Sequence, residues 1–163
     1  GSSTHIAGVM FMEMTGTRMV HVPYPSSVPA IADVIGGRVS MDFDVGSTSL
    51  PQVKAGKLKA IAVASANRSS FMPELPTIAE SGVPGYDASV WFGLVAPART
   101  PPAIVGKLSQ EINRILRLPE MREKFAPFAV DLTPNTPEEF AAMIRNEVER
   151  WSKTLREAGI ERE

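Results

Sequence analysis

The strongest constraint on the fold is an alternation. Short β-rich, apolar runs recur along the chain, and segments with helical spacing and helix-end signals lie between them. Met19–Val22 is brief and closed by Pro23, and Val39, Met41 and Phe43 alternate with Ser40, Asp42 and Asp44, the two-residue period of a strand. Ala60–Ala64 is continuously apolar, as expected of a strand covered on both faces. Val90–Val95 has strand character, and Phe128–Leu132 supplies a fifth, weaker run. Strands alternating with helices imply an α/β fold with a largely parallel sheet.

The helices carry their own punctuation. Ser2, Ser3 and Thr4 are N-cap residues ahead of the apolar stretch Ile6–Met14, which stops at Gly16. Pro29–Ile35 ends at Gly36-Gly37, with Pro in the first turn and Gly past the end. Ser47–Ala55 is a short helix stopped by Gly56, and Thr77–Ser81 reads as a helical turn. Thr100 and Pro101 open a helix whose apolar positions 104, 105, 108, 112, 115 and 116 keep helical spacing. Pro119 begins another short helix that ends before Pro127. Thr136-Pro137-Glu138-Glu139 is a capping box, and Phe140, Met143, Ile144, Val148, Trp151 and Leu155 form one stripe behind it.

Length and composition narrow the function. A chain of 163 residues allows one domain or two small lobes, and the Pro, Ser and Gly-rich residues 65–88 suit a crossing between lobes. A formal net charge of −1 argues against nucleic acid as the main partner, because phosphate binding wants a clustered basic surplus. No run approaches the roughly 18 apolar residues of a membrane span. The absence of Cys excludes disulfides and thiolate metal sites. With two His and no His-Glu-x-x-His, metal binding is not expected, nor is any cofactor, since no phosphate-cradling glycine loop follows a strand. The eight Met read as core packing, and the charged run Arg145–Arg156 as a solvated helix face.

Ser2, Ser3, His5 and Asp44 are the residue types of a hydrolytic triad, but no Gly-x-Ser-x-Gly elbow is present. Cap hydroxyls and a structural imidazole are the simpler reading, so the chain is not expected to be an enzyme. Three segments instead place small hydroxyl residues and free N–H groups at strand-to-helix junctions: Gly1–Thr4, Tyr24–Ser27 and Asp44–Thr48. Helix N-termini attract carboxylates without Lys or Arg, and in open α/β sheets such junctions face the ligand crevice. A small-anion binding site is the functional expectation.

Several segments then resemble one family. Ser2-Ser3-Thr4-His5-Ile6-Ala7-Gly8, His21-Val22-Pro23-Tyr24, Val39–Asp44 and Lys54–Ala60 are similar to the Bug (TctC-like) solute-binding proteins of tripartite tricarboxylate transporters. Pro76–Gly82, Pro84-Gly85-Tyr86, Trp91–Ala98, Thr136–Phe140 and Lys153–Gly159 continue the resemblance in the same order. It implies a periplasmic protein of type II binding-protein architecture, with two α/β lobes and mostly parallel sheets closing on a small carboxylate. The partners implied are that ligand and the subunits of a membrane permease. The family's N-terminal half, with its Pro-Gly-Gly motif, has no counterpart here. Residues 1–88 are therefore expected to form most of the second lobe, and residues 89–163 the crossing segment and the C-terminal part of the first.

Carried over by resemblance, the ligand contacts are Ser2, Ser3, Thr4 and His5 at the first helix start, Tyr24, Ser26 and Ser27 in the following loop, and Asp44. The pattern breaks after Tyr24, where the family has Lys-Gly-Gly and this chain has Pro25-Ser26-Ser27. Pro removes an N–H donor and the two hydroxyls add donors. Trp91 and Phe92 fall where the chain crosses between lobes, in a hinge-packing role. The alternative is an effector-sensing domain of a transcription regulator, which shares this architecture.

Overall fold

The computed structural model describes residues 2–157, with the side chains of Lys153, Leu155 and Glu157 outside the description. Six α-helices and one 3-10 turn form among these residues. Contacts divide the chain into two compact units. The first gathers the chain up to Val90 together with Ala126–Val130, and the second comprises Trp91–Phe125 and the chain from Asp131 onward.

In the first unit, α1 spans Ser3–Thr15, and its ends follow the sequence signals. Ser2 is the N-cap and its hydroxyl accepts the His5 N–H at 3.2 Å. Gly16 closes the helix at φ 65°, a left-handed conformation that a side chain makes costly. Helix α2 (Ser27–Ile35) begins two residues before Pro29, and α3 (Gly46–Lys54) ends ahead of Gly56. Ala7, Ala30, Ile31, Leu50, Ile78, Tyr86 and Ala88 are buried. Tyr86 ties this core together: its hydroxyl donates to the Ala7 carbonyl of α1 at 2.9 Å, across 79 residues of sequence. Its ring also meets the edge of Phe11 at 6.3 Å. Burial, with Asp87 nearby, pushes the Tyr86 phenol up to about 12, so the neutral hydroxyl stays a donor throughout the physiological range.

The expected sheet does not assemble among the described residues. Residues 19–22, 39–43, 60–64, 90–95 and 128–132 carry no named strand, and the pairing is an isolated parallel bridge between Val63 and Thr77. Around it, Val63 N–H donates to the Pro76 carbonyl at 2.9 Å, Ile78 N–H to the Val63 carbonyl at 3.0 Å, and Ala88 N–H to the Ala64 carbonyl at 2.8 Å. Alternation fixes which side chains share a face. A ladder also needs a second backbone about 4.8 Å away, and that is not a local property. The run at 128–132 fails for a local reason as well: it starts inside the 3-10 turn Ala126–Phe128 and continues through Ala129 at φ 52°.

The Thr77–Ser81 turn is held by reciprocal capping. Thr77 N–H donates to the Glu80 carboxylate at 2.8 Å, and Glu80 N–H to the Thr77 hydroxyl at 3.0 Å. The Thr77 amide and then Arg68 hold the Glu80 carboxyl below its ordinary value. A depressed folded-state value means that this contribution is present above the ordinary glutamate range and fades as pH falls through the lowered one. Urea midpoints compared at pH 7 and pH 3.5 should therefore fall less for Glu80→Gln than for the unsubstituted chain.

The second unit contains α4 (Pro102–Leu116), which starts after Pro101 without a side-chain capping bond, α5 (Pro119–Phe125), which starts at the expected proline, and α6 (Pro137–Glu157). The box at Thr136 is realised: Thr136 N–H donates to Glu139 at 2.8 Å and Glu139 N–H to the Thr136 hydroxyl at 3.1 Å. The stripe on α6 is incomplete, since Val148 is exposed. Trp91 packs edge-on against Phe140 at 5.5 Å, and the Phe140 ring covers Gly93 so closely that an added Cβ would lie 2.1 Å from it. Both Trp91 and Trp151 donate their indole N–H to Glu147 of α6, at 3.4 and 2.8 Å. Trp91 is thus fixed to its own unit, whereas neighbouring Phe92 is 85% exposed.

Candidate ligand-binding site

The eight residues singled out by sequence all lie in the first unit, in three local groups. The first is the start of α1. The Ser2 and Thr4 hydroxyls are 3.0 Å apart, and Ser2 also caps the His5 amide, so these two hydroxyls hold each other in place at the helix mouth. Ser2 and Ser3 are exposed, and Thr4 and His5 half-buried. The His5 ring lies flat on that of His21, with centroids 4.1 Å apart and planes 7° from parallel. Burial, then the charge of His21, lowers the affinity of His5 for a proton. A neutral imidazole suits this place, because the helix N-terminus already carries partial positive charge.

The second group is the Tyr24 loop. The Tyr24 hydroxyl donates to Asp33 at 2.6 Å, and Arg38 binds the other oxygen of the same carboxylate through Nε at 2.8 Å and through Nη2. The bond to Asp33 raises the Tyr24 phenol above its ordinary value, and Arg38 with Tyr24 holds Asp33 below its own. Tyr24 therefore spends its one proton on anchoring the loop to α2. Ser26 is the N-cap of α2 without a side-chain capping bond, and Ser27 is its first residue.

The third group is the turn into α3. Asp44 accepts from the Thr48 hydroxyl at 2.5 Å, which places a carboxylate beside the N-terminus of α3, where no side chain caps a first-turn amide. Loss of water, then Asp44, raises the carboxyl of Asp42 above its ordinary value. Gly46 is needed here, since an added Cβ would lie 2.8 Å from the Ala129 Cβ.

Four residues at this end of the unit escaped the sequence reading as site members: His21, Asp33, Arg38 and Asp42. The alternation that set Asp42 on the same face as Asp44 was the available signal for that one. The stack of His21 and the Asp33–Arg38 pair depend on how loops return onto helices, which spacing does not reveal.

The second unit has a cleft of about 710 Å³ between α4 and the start of α6, lined among others by Ser109, Asn113, Arg117, Asn135 and Glu138. It holds none of the eight residues. Its acidic rim of Glu138 and Glu139, with the Thr136 and Glu139 amides already engaged in the capping box, is poorly suited to a carboxylate. Among the described residues, no group of His, Asp and Glu is placed to hold a metal ion, and no helix is long and apolar enough to cross a membrane.

Comparison with known proteins agrees with the resemblance. Residues 1–160 match the family described as "Tripartite tricarboxylate transporter family receptor". The protein BugT of Bordetella pertussis is 35% identical over 98% of this chain and 49% of its own length. The R. palustris protein solved with adipate superposes with a TM-score of 0.84 at 34% identity, over 98% of this chain and 53% of that one. The periplasmic binding protein BugD gives a TM-score of 0.79 at 31% identity, over 99% of this chain and 55% of that one. The chain spans about half the length of these relatives. A match over nearly every residue, joined to a fold shared with these binding proteins, makes this chain a member of the tripartite tricarboxylate transporter receptor family, the Bug or TctC-like solute-binding proteins.

Proposed function

We propose that the chain is the carboxylate-holding portion of a periplasmic receptor that delivers a small organic acid to a membrane permease and catalyses no reaction. The observation that carries this reading is the mouth of α1: a mutually braced Ser2–Thr4 hydroxyl pair and a stacked, proton-poor His5, on a chain that superposes on a protein solved with adipate. Unpaired first-turn N–H groups and small hydroxyls bind a carboxylate without a basic side chain. In this reading Ser2, Ser3, Thr4 and His5 meet the carboxylate, and Ser26, Ser27 and Asp44 line the cleft. Tyr24 contributes its ring and shapes the loop, because its hydroxyl is committed to Asp33.

The same reading covers the finer architecture. Val20 is 90% exposed, and Ile61, Leu94 and Val95 are exposed as well, each within a segment patterned as a strand. Apolar rows of that kind fit edges that pair with further strands in a longer, two-lobed protein of mostly parallel sheets. Lobe closure over the ligand would then exclude water from the carboxylate and strengthen its hydrogen bonds.

The test is titration calorimetry on the full-length protein with adipate and a panel of mono-, di- and tricarboxylates. The double variant Ser3→Ala, Thr4→Val should weaken binding by more than about 1 kcal/mol with an unchanged melting temperature. Unchanged affinity in that variant would remove the α1 mouth from the site.

A further inference from the structure

We propose that His21 is a positioning residue of the carboxylate site, its ring holding the His5 imidazole in the orientation that meets the ligand; this rests on the receptor reading above. Two contacts lay the 19–21 segment back along α1. Met19 N–H donates to the Met12 thioether at 3.3 Å, and two residues later the His21 ring covers His5 at 4.1 Å and 7°. His21 is exposed, as are Val20 and Val22 on either side, so no apolar core requires a flat ring at this position. What the ring does is cover one face of His5. Stacking uses the faces of both imidazoles and leaves the edges, where the nitrogens lie, to hydrogen bonding. A stacked ring has fewer accessible rotamers, and ordering a side chain only at the moment of binding costs affinity. His21 supplies that order beforehand. The lowered proton affinity of His5, from burial and from His21, agrees with a ring that presents one N–H donor and one acceptor edge at neutral pH.

The experiment compares His21→Ala and His21→Phe with the unsubstituted full-length protein, using adipate in calorimetry and the His5 ring protons in NMR. In His21→Ala, binding should weaken by about threefold to tenfold, the affinity recovered by immobilising one side chain. The His5 ring protons should lose their ring-current shift in the same variant. His21→Phe keeps a flat ring and should restore both affinity and shift, with melting temperatures equal throughout. His21→Ala binding like the unsubstituted protein, or Ala and Phe weakening it equally, would overturn the positioning role alone. An unsubstituted protein that binds neither adipate nor any other carboxylate in the panel would overturn the receptor reading and this inference with it.

Discussion

Replacing Tyr86 by Ala should cost about 3–5 kcal/mol of stability, the range for emptying a buried aromatic site. Tyr86 is 1% exposed and does two things at once. Its ring fills the space against Phe11 of α1, and its hydroxyl reaches the Ala7 carbonyl on the same helix. The two contributions separate by substitution. Tyr86→Phe keeps the ring and loses the hydroxyl, so it should cost only about 1–2 kcal/mol, the value of a buried hydrogen bond and its unsatisfied partner. Urea denaturation followed by far-ultraviolet ellipticity reads both variants. A loss below about 1 kcal/mol for the Ala variant would mean that the contact across 79 residues does not hold α1 to the core.

Leu50→Ala should cost about 2–5 kcal/mol for the same class of reason. Leu50 is 3% exposed on the inner side of α3, which packs against α2 and the 3-10 turn Ala126–Phe128. Its second effect falls on the candidate site. The turn Asp44–Gly46 leads directly into α3, and Gly46 lies against Ala129 with no room for a side chain. A cavity beneath α3 should let that turn shift, so adipate binding by the full-length protein should weaken along with stability. Leu50→Met, which keeps the volume, should stay within about 1.5 kcal/mol and leave binding intact. Equal stability for Leu50→Ala and the unsubstituted chain would place Leu50 outside the core.

The helices were legible because their determinants are local. The Ser2 cap, the Gly16 stop, the Pro119 start and the Thr136–Glu139 box each act within a few residues, and each appears in the structure where the sequence put it. The family was legible for a related reason, as its motifs are short words in a fixed order. The strands were not. Residues 39–43 and 60–64 have the right patterns, yet a ladder needs a neighbouring backbone, and among the described residues pairing stops at the Val63–Thr77 bridge and the few bonds around it.

The site divides in the same way. The hydroxyls at the α1 mouth and the acid at 44 were readable as residue types beside helix starts. Sequence by itself determined where most of the helices begin and end, and which small hydroxyl residues stand beside helix starts. Tertiary structure decided that the Tyr24 hydroxyl donates its hydrogen bond to Asp33, that His21 lies on His5, and that Tyr86 joins two segments 79 residues apart. Those contacts form when loops return onto helices, and the energy that selects a return path is shared among residues far apart in the chain.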